Sequence, residues 1–213
     1  MNFESPRREV FAICLKLADR GYIPGTGGNV ALRIDDEHFA VTPSSIDYYL
    51  MQPEDICVLR IGDLRQVAGE RKPSIEHRFH AHVLRERRDC QASIHTHQPI
   101  ASAFSLLGRD LLVQDPNHRL LLGERVALVA YAPSGTNWLA ANLLRALQPG
   151  VHAYLLCNHG ALCCAPTLDK AFARVEALES ACADFFRQAI GSHMGQLPPA
   201  EIFSLFEDKE FGQ

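Results

Sequence analysis

Ala92-Ser-Ile-His-Thr-His-Gln-Pro99 has the alternating pattern of a β-strand. Apolar side chains alternate with polar ones along it, which predicts a strand with one apolar face. Residues i and i+2 of a strand point to the same side and lie roughly 6–7 Å apart. The imidazoles of His95 and His97 can therefore reach one metal ion at about 2.0–2.1 Å. The alternative is a pair of surface histidines on an exposed strand, and this stretch alone does not separate the two.

The composition indicates one globular domain and disfavours several classes of partner. The 213 residues are 47% hydrophobic with a formal net charge of −4, which is enough apolar material for one sizeable core. Lys and Arg are scattered, without the basic stripe typical of nucleic-acid binding. No run approaches the ~18 apolar residues of a membrane span, and residues 1–9 lack the apolar segment of a secretory signal. We expect one domain over residues 1–213, including a C-terminal tail over 191–213, with no nucleic-acid or membrane partner.

The seven cysteines indicate a reducing compartment. Their number is odd, most lie inside apolar runs, and none belongs to a Cys-x-x-Cys pair. Cysteines in such positions usually serve as small hydrophobic residues of a cytosolic protein. The sequence therefore predicts a cytoplasmic protein without a thiolate zinc site.

Hydrophobic periodicity predicts a single α/β domain with a central, mostly antiparallel sheet flanked by helices. Helices are predicted over 6–20, 72–88, 101–107, 136–147 and 167–189, and strands over 30–34, 38–42, 56–61, 126–131, 154–157 and 162–165, besides the strand that contains His95. Residues 111–122 fit neither pattern clearly. Short turns join the first strands, which favours antiparallel pairing.

Two turns have the composition of an anion-binding site. Gly21-Tyr-Ile-Pro-Gly-Thr-Gly-Gly-Asn29 offers bare backbone N–H groups and the Asn29 amide, either as an anion cradle or as a flexible connector between helix and strand. Thr42-Pro-Ser-Ser45 adds hydroxyls and further backbone donors. Neither turn matches a dinucleotide fingerprint or a P-loop, so a nucleotide-binding motif is absent.

The helix predicted from Lys72 contains several titratable residues. Ser74 is a good N-cap, which would place Glu76 in the first turn, where the helix dipole favours a carboxylate. In isolation Glu76 is therefore best interpreted as a helix-start residue. His77, His80 and His82 follow it, and we interpret all three as mostly exposed or packing residues.

Five motifs occur together in the order and spacing of the class II aldolase/adducin family, which the chain resembles over nearly its whole domain. They are Gly25-Thr-Gly-Gly-Asn-Val30, Thr42-Pro-Ser-Ser45, Lys72-Pro-Ser-Ile-Glu-His-Arg-Phe-His80, His95-Thr-His97 and Asn158-His-Gly160. The set is far more specific than any one member. The resemblance implies the family's three-layer fold and is strongest to its sugar-phosphate aldolases.

The resemblance also implies a metal site. In that family the two histidines of His-x-His and the histidine of Asn-His-Gly hold a divalent ion, usually zinc. His95, His97 and His159 are thereby assigned as ligands of Zn2+, or of another divalent ion such as Mn2+ or Co2+. Three neutral imidazoles leave a fourth tetrahedral position open, as catalytic zinc sites do. Glu76 matches the acidic residue that completes the coordination at rest and acts as general base when substrate displaces it.

A substrate and an assembly follow from the same resemblance. The positions that match the family's binding site for a small phosphorylated sugar are Thr26, Gly27, Asn29, Ser44, Ser45 and Ser74. The implied reaction cleaves a ketose 1-phosphate to dihydroxyacetone phosphate and an aldehyde through a metal-stabilised enediolate. Family members are homotetramers with active sites between subunits, and we expect the same here. Asp115 is a candidate second acid/base from the neighbouring subunit, or else a turn-forming residue before Pro116.

Several departures from the aldolase pattern leave the reaction open. Ile75 replaces a serine, Ser45 stands where glycine is usual, Ala31 replaces a serine, and no tyrosine follows residue 190. The alternatives are an epimerase, dehydratase or decarboxylase with the same metal-enolate chemistry, or a non-enzymatic module like the adducin head. Glu76 rather than aspartate disfavours the epimerase, and the intact set of metal ligands disfavours the adducin-like module.

Overall fold

The computed structural model describes residues 3–194 as a central sheet with helices on both faces. The strands are β1 Asn29–Arg33, β2 His38–Val41, β3 Cys57–Arg60, β4 Gln66–Ala68, β5 Ala92–Thr96, β6 Leu111–Leu112, β7 Arg125–Val129, β8 Ala153–Leu156 and β9 Gly160–Ala165. The helices are α1 Glu4–Asp19, α2 His77–Glu86, α3 Pro99–Ser105, α4 Pro116–Leu122, α5 Asn137–Ala146 and α6 Leu168–Met194. Over these residues no helix is both long enough and apolar enough to cross a bilayer.

The nine strands form one sheet in the order β4-β3-β2-β1-β5-β9-β8-β7-β6. β7 and β8 are parallel, and the other pairs within residues 3–194 are antiparallel. The predicted, mostly antiparallel sheet is confirmed. The sequence prediction lacks β4 and β6 because strands of two or three residues are too short to show a period.

The helices divide between the two faces and so make three layers. α1, α3, α4 and α6 pack on one face, around a core that includes Val10, Phe104 and Val175. α2 and α5 pack on the other face through Phe79 and Leu143. The three-layer architecture implied by the resemblance is confirmed.

β5 lies at the centre of the sheet and is buried on both faces. Ala92 and Ile94 belong to the core on the α1 and α6 side. On the opposite face the His95 ring contacts Phe79 of α2, with 5.5 Å between ring centroids. β1 and β9 pair with its two edges, so the alternative of an exposed strand is excluded.

α2 begins at His77, later than the sequence predicts. The prediction that Ser74 caps the helix is wrong, because Glu76 occupies the N-cap position and makes no side-chain cap bond. The Ser74 hydroxyl oxygen instead accepts a hydrogen bond from the backbone N–H of Glu76 at 3.2 Å. The Glu76 carboxylate instead accepts hydrogen bonds from the side chains of Asn29 and Ser134.

At the other end of the chain, α6 continues to Met194, so residues 191–194 of the expected tail are helical. The remainder of that tail, 195–213, lies outside the described residues.

Candidate metal centre

Three histidines meet where β5 and β9 lie side by side. His95 is in β5, His97 follows two residues later, and His159 immediately precedes β9. Their ring centroids are 4.7, 4.8 and 5.2 Å apart, and their ligand nitrogens all lie within 4.8 Å of one another. Among the side chains that the structure describes, this is the one group of three or more His, Cys, Asp or Glu placed to share an ion.

The spacing fits a single tetrahedral ion. Ligands held at about 2.0–2.1 Å by a tetrahedral zinc are about 3.3–3.4 Å from each other. Nε2 of His95 lies 3.1 Å from Nε2 of His97 and 3.4 Å from Oε2 of Glu76. Oε1 of Glu76 lies 3.4 Å from Nε2 of His159. The three histidines therefore have the donor type and spacing of a divalent metal site, and Glu76 lies at ligand spacing from His95 and His159.

A hydrogen bond on the far side of the His95 ring decides which nitrogen can bind an ion. Nδ1 of His95 lies 2.8 Å from the carbonyl oxygen of Ala161. A carbonyl only accepts hydrogen bonds, so Nδ1 carries the proton and Nε2 keeps its lone pair. Complete burial lowers the pKa of His95 to about 4, which keeps the ring neutral at pH 7.

Glu76 is held by one hydrogen bond on each carboxylate oxygen. Nδ2 of Asn29 donates to Oε2 at 2.8 Å, and the Ser134 hydroxyl donates to Oε1 at 2.8 Å. Burial raises the pKa of Glu76, but the imidazoles of His95 and His159 and these two donors outweigh it and lower the pKa to about 2. The side chain is therefore a carboxylate at neutral pH.

Glycine backbone packs closely against the His97 ring, and a tight turn positions His159. A Cβ on Gly27 would lie 2.7 Å from Nδ1 of His97, and a Cβ on Gly160 would lie 2.8 Å from its Cδ2. Asn158 has a φ of +53°, a left-handed conformation that asparagine adopts more readily than most residues. The Asn-His-Gly motif thus makes the tight turn between β8 and β9 that carries His159.

The loops predicted to bind a phosphate lie side by side. The Tyr48 hydroxyl donates to the carbonyl oxygen of Gly28 at 2.6 Å, which joins the segment after the second turn to the glycine-rich turn. The backbone N–H of Ser44 donates to the carbonyl oxygen of Lys72 at 2.9 Å. The structure therefore brings together the segments that contain Thr26, Gly27, Asn29, Ser44, Ser45 and Ser74.

Two departures from the aldolase pattern have a structural consequence. Ser45 has a φ of +58°, in the left-handed region that favours glycine, which explains why glycine is usual at this position. Ile75 is 58% exposed and lies against Gly135, on which a Cβ would be 2.9 Å from the Ile75 side chain. Ile75 supplies contact surface where a hydroxyl is expected.

Asp115 caps a helix within its own chain. Its carboxylate accepts hydrogen bonds from the backbone N–H groups of Asn117 at 2.7 Å and His118 at 3.1 Å, at the start of α4. Among the described residues, no hydrogen bond joins it to Glu76 or to the three histidines. Its role as a second acid/base stays a prediction that concerns a neighbouring subunit.

Sequence reasoning misses two residues that hold the site. His80, predicted to be an exposed or a packing residue, is fully buried, and the prediction does not include its hydrogen bonds to Asn29 and Ser93. Its position four residues after Glu76, on the same side of the chain, is the signal that could have found it. Ser134 reaches Glu76 from the loop before α5, and no sequence pattern marks it.

Comparison with known proteins agrees with this geometry. The family Class II Aldolase and Adducin N-terminal domain matches residues 8–185. A 5-deoxy-D-ribulose 1-phosphate aldolase of Bacillus thuringiensis serovar kurstaki is 33% identical over 88% of this chain and 87% of its own length. An L-fuculose phosphate aldolase of Methanococcus maripaludis is 31% identical over 80% of this chain and 91% of its own length.

A solved structure shows the same fold. The L-fuculose 1-phosphate aldolase structure aligns with a TM-score of 0.82 at 30% identity and covers 99% of both chains. The family match includes all four side chains of the candidate metal centre, since Glu76, His95, His97 and His159 lie between residues 8 and 185. This chain therefore belongs to the class II aldolase and adducin N-terminal domain family and is an enzyme of the class II aldehyde-lyase type.

Proposed function

We propose that this chain is a zinc-dependent aldolase that cleaves a ketose 1-phosphate into dihydroxyacetone phosphate and an aldehyde. The observation that best supports it is the position of Glu76, whose oxygens lie 3.4 Å from Nε2 of His95 and of His159. A buried carboxylate beside three imidazoles can complete the coordination at rest and move a proton during the reaction. Mn2+ or Co2+ would suit the same donors.

Each residue of the candidate site would have a separate role in the reaction. His95, His97 and His159 would hold the ion and leave one position for Glu76 or the substrate. When bound there, a divalent ion polarises a carbonyl and stabilises negative charge on its oxygen. As the C3–C4 bond breaks, its electron pair would pass to the phosphorylated fragment, and the C4 hydroxyl would give its proton to a second base, for which Asp115 of a neighbouring subunit is the candidate. Glu76, once protonated by solvent, would give a proton to C3 of that fragment, and in the reverse direction its carboxylate would remove that proton. Asn29 would keep the carboxylate oriented for that transfer.

The converged loops suit the substrate phosphate. Backbone N–H groups of the glycine-rich turn can form an anion-binding concavity. The hydroxyl groups of Ser44 and Ser45 are hydrogen-bonded to each other at 3.2 Å, so one hydroxyl proton of the pair is left for a ligand, and Ser74 lies on the adjoining segment. Ile75 offers no hydroxyl, which makes the backbone donors a larger part of the recognition.

The relatives' names support the substrate class. One names 5-deoxy-D-ribulose 1-phosphate, and the other names L-fuculose phosphate. Both are phosphorylated ketoses, which agrees with a site that pairs a metal centre with an anion-binding turn. We extend that class, but neither particular sugar, to this chain.

We also propose a cytoplasmic homotetramer with active sites between subunits. Ile75 precedes Glu76, and Tyr131 and Trp138 flank the loop of Ser134; the three are 58%, 52% and 60% exposed. Exposed apolar patches of this kind mark protein contacts. Asp115 would act from a neighbouring subunit. All seven cysteines are free, which suits a reducing compartment.

A substrate panel tests the proposal. Purified protein loaded with Zn2+ is incubated with ketose 1-phosphates, including the two sugars named for the relatives, and dihydroxyacetone phosphate is detected. We expect release from at least one member. Release from none, with metal bound, would overturn the aldolase and favour an epimerase, dehydratase or decarboxylase. A protein that binds no divalent ion would favour a non-enzymatic module.

The role of Glu76 has its own test. Glu76→Gln retains an oxygen near the metal site but cannot accept the proton, so we expect metal binding to persist. Exchange of the C3 proton of dihydroxyacetone phosphate with solvent deuterium should fall by about 10²-fold or more. Normal exchange in this variant would place the base elsewhere.

A further inference from the structure

A chain of buried polar side chains runs from the middle of β5 to Glu76. The Ser93 hydroxyl is hydrogen-bonded to Nδ1 of His80. Nε2 of His80 lies 2.6 Å from Oδ1 of Asn29, and Nδ2 of Asn29 lies 2.8 Å from Oε2 of Glu76. Ser93 and His80 are 0% exposed, Asn29 is 4% exposed and Glu76 is 5% exposed. Each of these four polar groups is shielded from water and therefore has to find its hydrogen-bond partners inside the protein.

The hydrogen bonds that link these four side chains have a single self-consistent direction from donor to acceptor. The Glu76 carboxylate only accepts, so the NH₂ group of Asn29 faces it and the amide oxygen faces His80. Nε2 of His80 must then carry the proton, and Nδ1 must accept from the Ser93 hydroxyl. Burial lowers the pKa of His80 to about 3, which agrees with the neutral ring that this pattern needs. Every donor points toward Glu76.

The fold makes this arrangement out of three separate elements. Asn29 of β1 lies opposite His95 of β5 in the sheet register. Ser93 lies two residues before His95, on the face that α2 covers. His80 of α2 lies over this face and is hydrogen-bonded to both Asn29 and Ser93. His80 therefore touches the partner of Glu76, while none of its hydrogen bonds goes to a candidate metal ligand.

We propose that His80 is a positioning residue, which fixes the Asn29 amide and through it aims the Glu76 carboxylate for proton transfer at C3 of the substrate. This inference rests on the proposed function. Without a donor at Nε2, the Asn29 amide can turn over and present its oxygen to Oε2 of Glu76, which repels it. Ser134 would still hold Oε1, and the three histidines would still hold the ion. Proton transfer should therefore suffer more than metal binding.

Two amide variants separate positioning from space filling. The side chain of His80→Gln reaches about as far as Nε2 and can still donate to Asn29, whereas that of His80→Asn reaches only as far as Nδ1 and leaves Asn29 without its donor. Both variants keep a polar group in the cavity. His82 also lies in α2 but is not one of the four hydrogen-bonded side chains, so His82→Asn is the control for a histidine-to-amide change.

The first readout is C3 proton exchange of dihydroxyacetone phosphate by the metal-loaded protein, measured with the affinity for Co2+. We expect exchange in His80→Asn to fall about 30-fold or more, and His80→Gln to stay within about fivefold of wild type. Co2+ affinity should change by less than about threefold in both. Equal losses in the two variants, or no loss in either, would overturn the proposal.

The second readout needs neither metal nor substrate. In metal-free protein labelled with ¹⁵N-histidine, NMR should show His80 as the neutral tautomer with the proton on Nε2. A proton on Nδ1 would overturn the proposal, even if either variant unfolds. If wild type shows this tautomer yet exchanges no proton with metal bound, the proposed function fails while the predicted hydrogen-bond direction stands.

Discussion

Gly160 shows how little room the site leaves at a single residue. A Cβ there would lie 2.4 Å from the carbonyl oxygen of Thr96 and 2.8 Å from Cδ2 of His97. The first neighbour is backbone of the strand end that carries His97, so it cannot rotate away. The glycine of Asn-His-Gly is therefore required by the close approach of two strands, in addition to the turn beside it.

We expect Gly160→Ala to weaken both the fold and the metal site. Overpacking of this kind destabilises a protein by about 1–3 kcal/mol, and displacement of His97 should reduce Co2+ affinity by about tenfold or more. Gly62→Ala is the matched control, because a Cβ on Gly62 meets nothing within 4 Å. Urea unfolding and Co2+ titration measure the two effects. A Gly160→Ala protein that binds Co2+ like wild type would show that the contact is not restrictive.

At the scale of elements, the local pattern predicts the strand of His95, because its alternating residues follow one another directly in the sequence. The start of α2 is different. Ser74 is locally a good cap, yet hydrogen bonds from Asn29 and Ser134 hold Glu76 at the helix end. The burial of His80 likewise depends on β1 and β5 lying beneath α2, and Asn29 is 51 residues away in sequence. The family resemblance therefore supplies the candidate ligands, whereas sequence pattern misses the hydrogen bonds of His80 to Asn29 and of Ser134 to Glu76.

The burial of α2 on the sheet should make folding stability depend on pH through His80. Burial, then the charge of His95, lowers the pKa of His80 from 6.5 to about 3, against a smaller opposite effect of Glu76. Below pH 6.5 the unfolded chain therefore binds more protons at His80 than the folded chain does. The contribution of the neutral, buried His80 to folding stability is complete above pH 6.5 and is lost as the pH falls toward 3.

For metal-free protein we expect His80 to account for a loss of about 2 kcal/mol in the free energy of unfolding between pH 7 and pH 5. His80→Gln has no ring to protonate, so its free energy of unfolding should fall by about 2 kcal/mol less than that of wild type between pH 7 and pH 5. Urea unfolding at both pH values provides the comparison. The same pH dependence in the two proteins would mean that His80 is not buried in its neutral form.

At the scale of the whole molecule, one chain supplies all four candidate ligands but not an enclosed site. His159 remains 13% exposed, and the apolar side chains of Ile75, Tyr131 and Trp138 are more than half exposed. A neighbouring subunit would cover this surface and exclude water from the reacting atoms. Assembly should therefore affect catalysis without affecting metal binding.

We expect sedimentation velocity to give about 95 kDa, four times the 23.7 kDa chain. Trp138→Glu should shift the protein to smaller species and reduce release of dihydroxyacetone phosphate by about tenfold or more, because a charge is costly to bury at an interface. Bound Zn2+ should stay at one ion per chain. Full activity in a monomeric variant would contradict an active site between subunits.

The most direct test of the metal centre is the metal content of the purified protein and of His97→Ala after equilibration with Zn2+ and removal of the unbound ion. His97 contributes one of three imidazoles around a single position, and its loss leaves too few neutral donors to retain the ion. We expect one divalent ion per wild-type chain and less than about a tenth of that in His97→Ala. A wild-type protein that retains no ion, or a His97→Ala protein that retains one per chain, would contradict a metal centre built from His95, His97, His159 and Glu76.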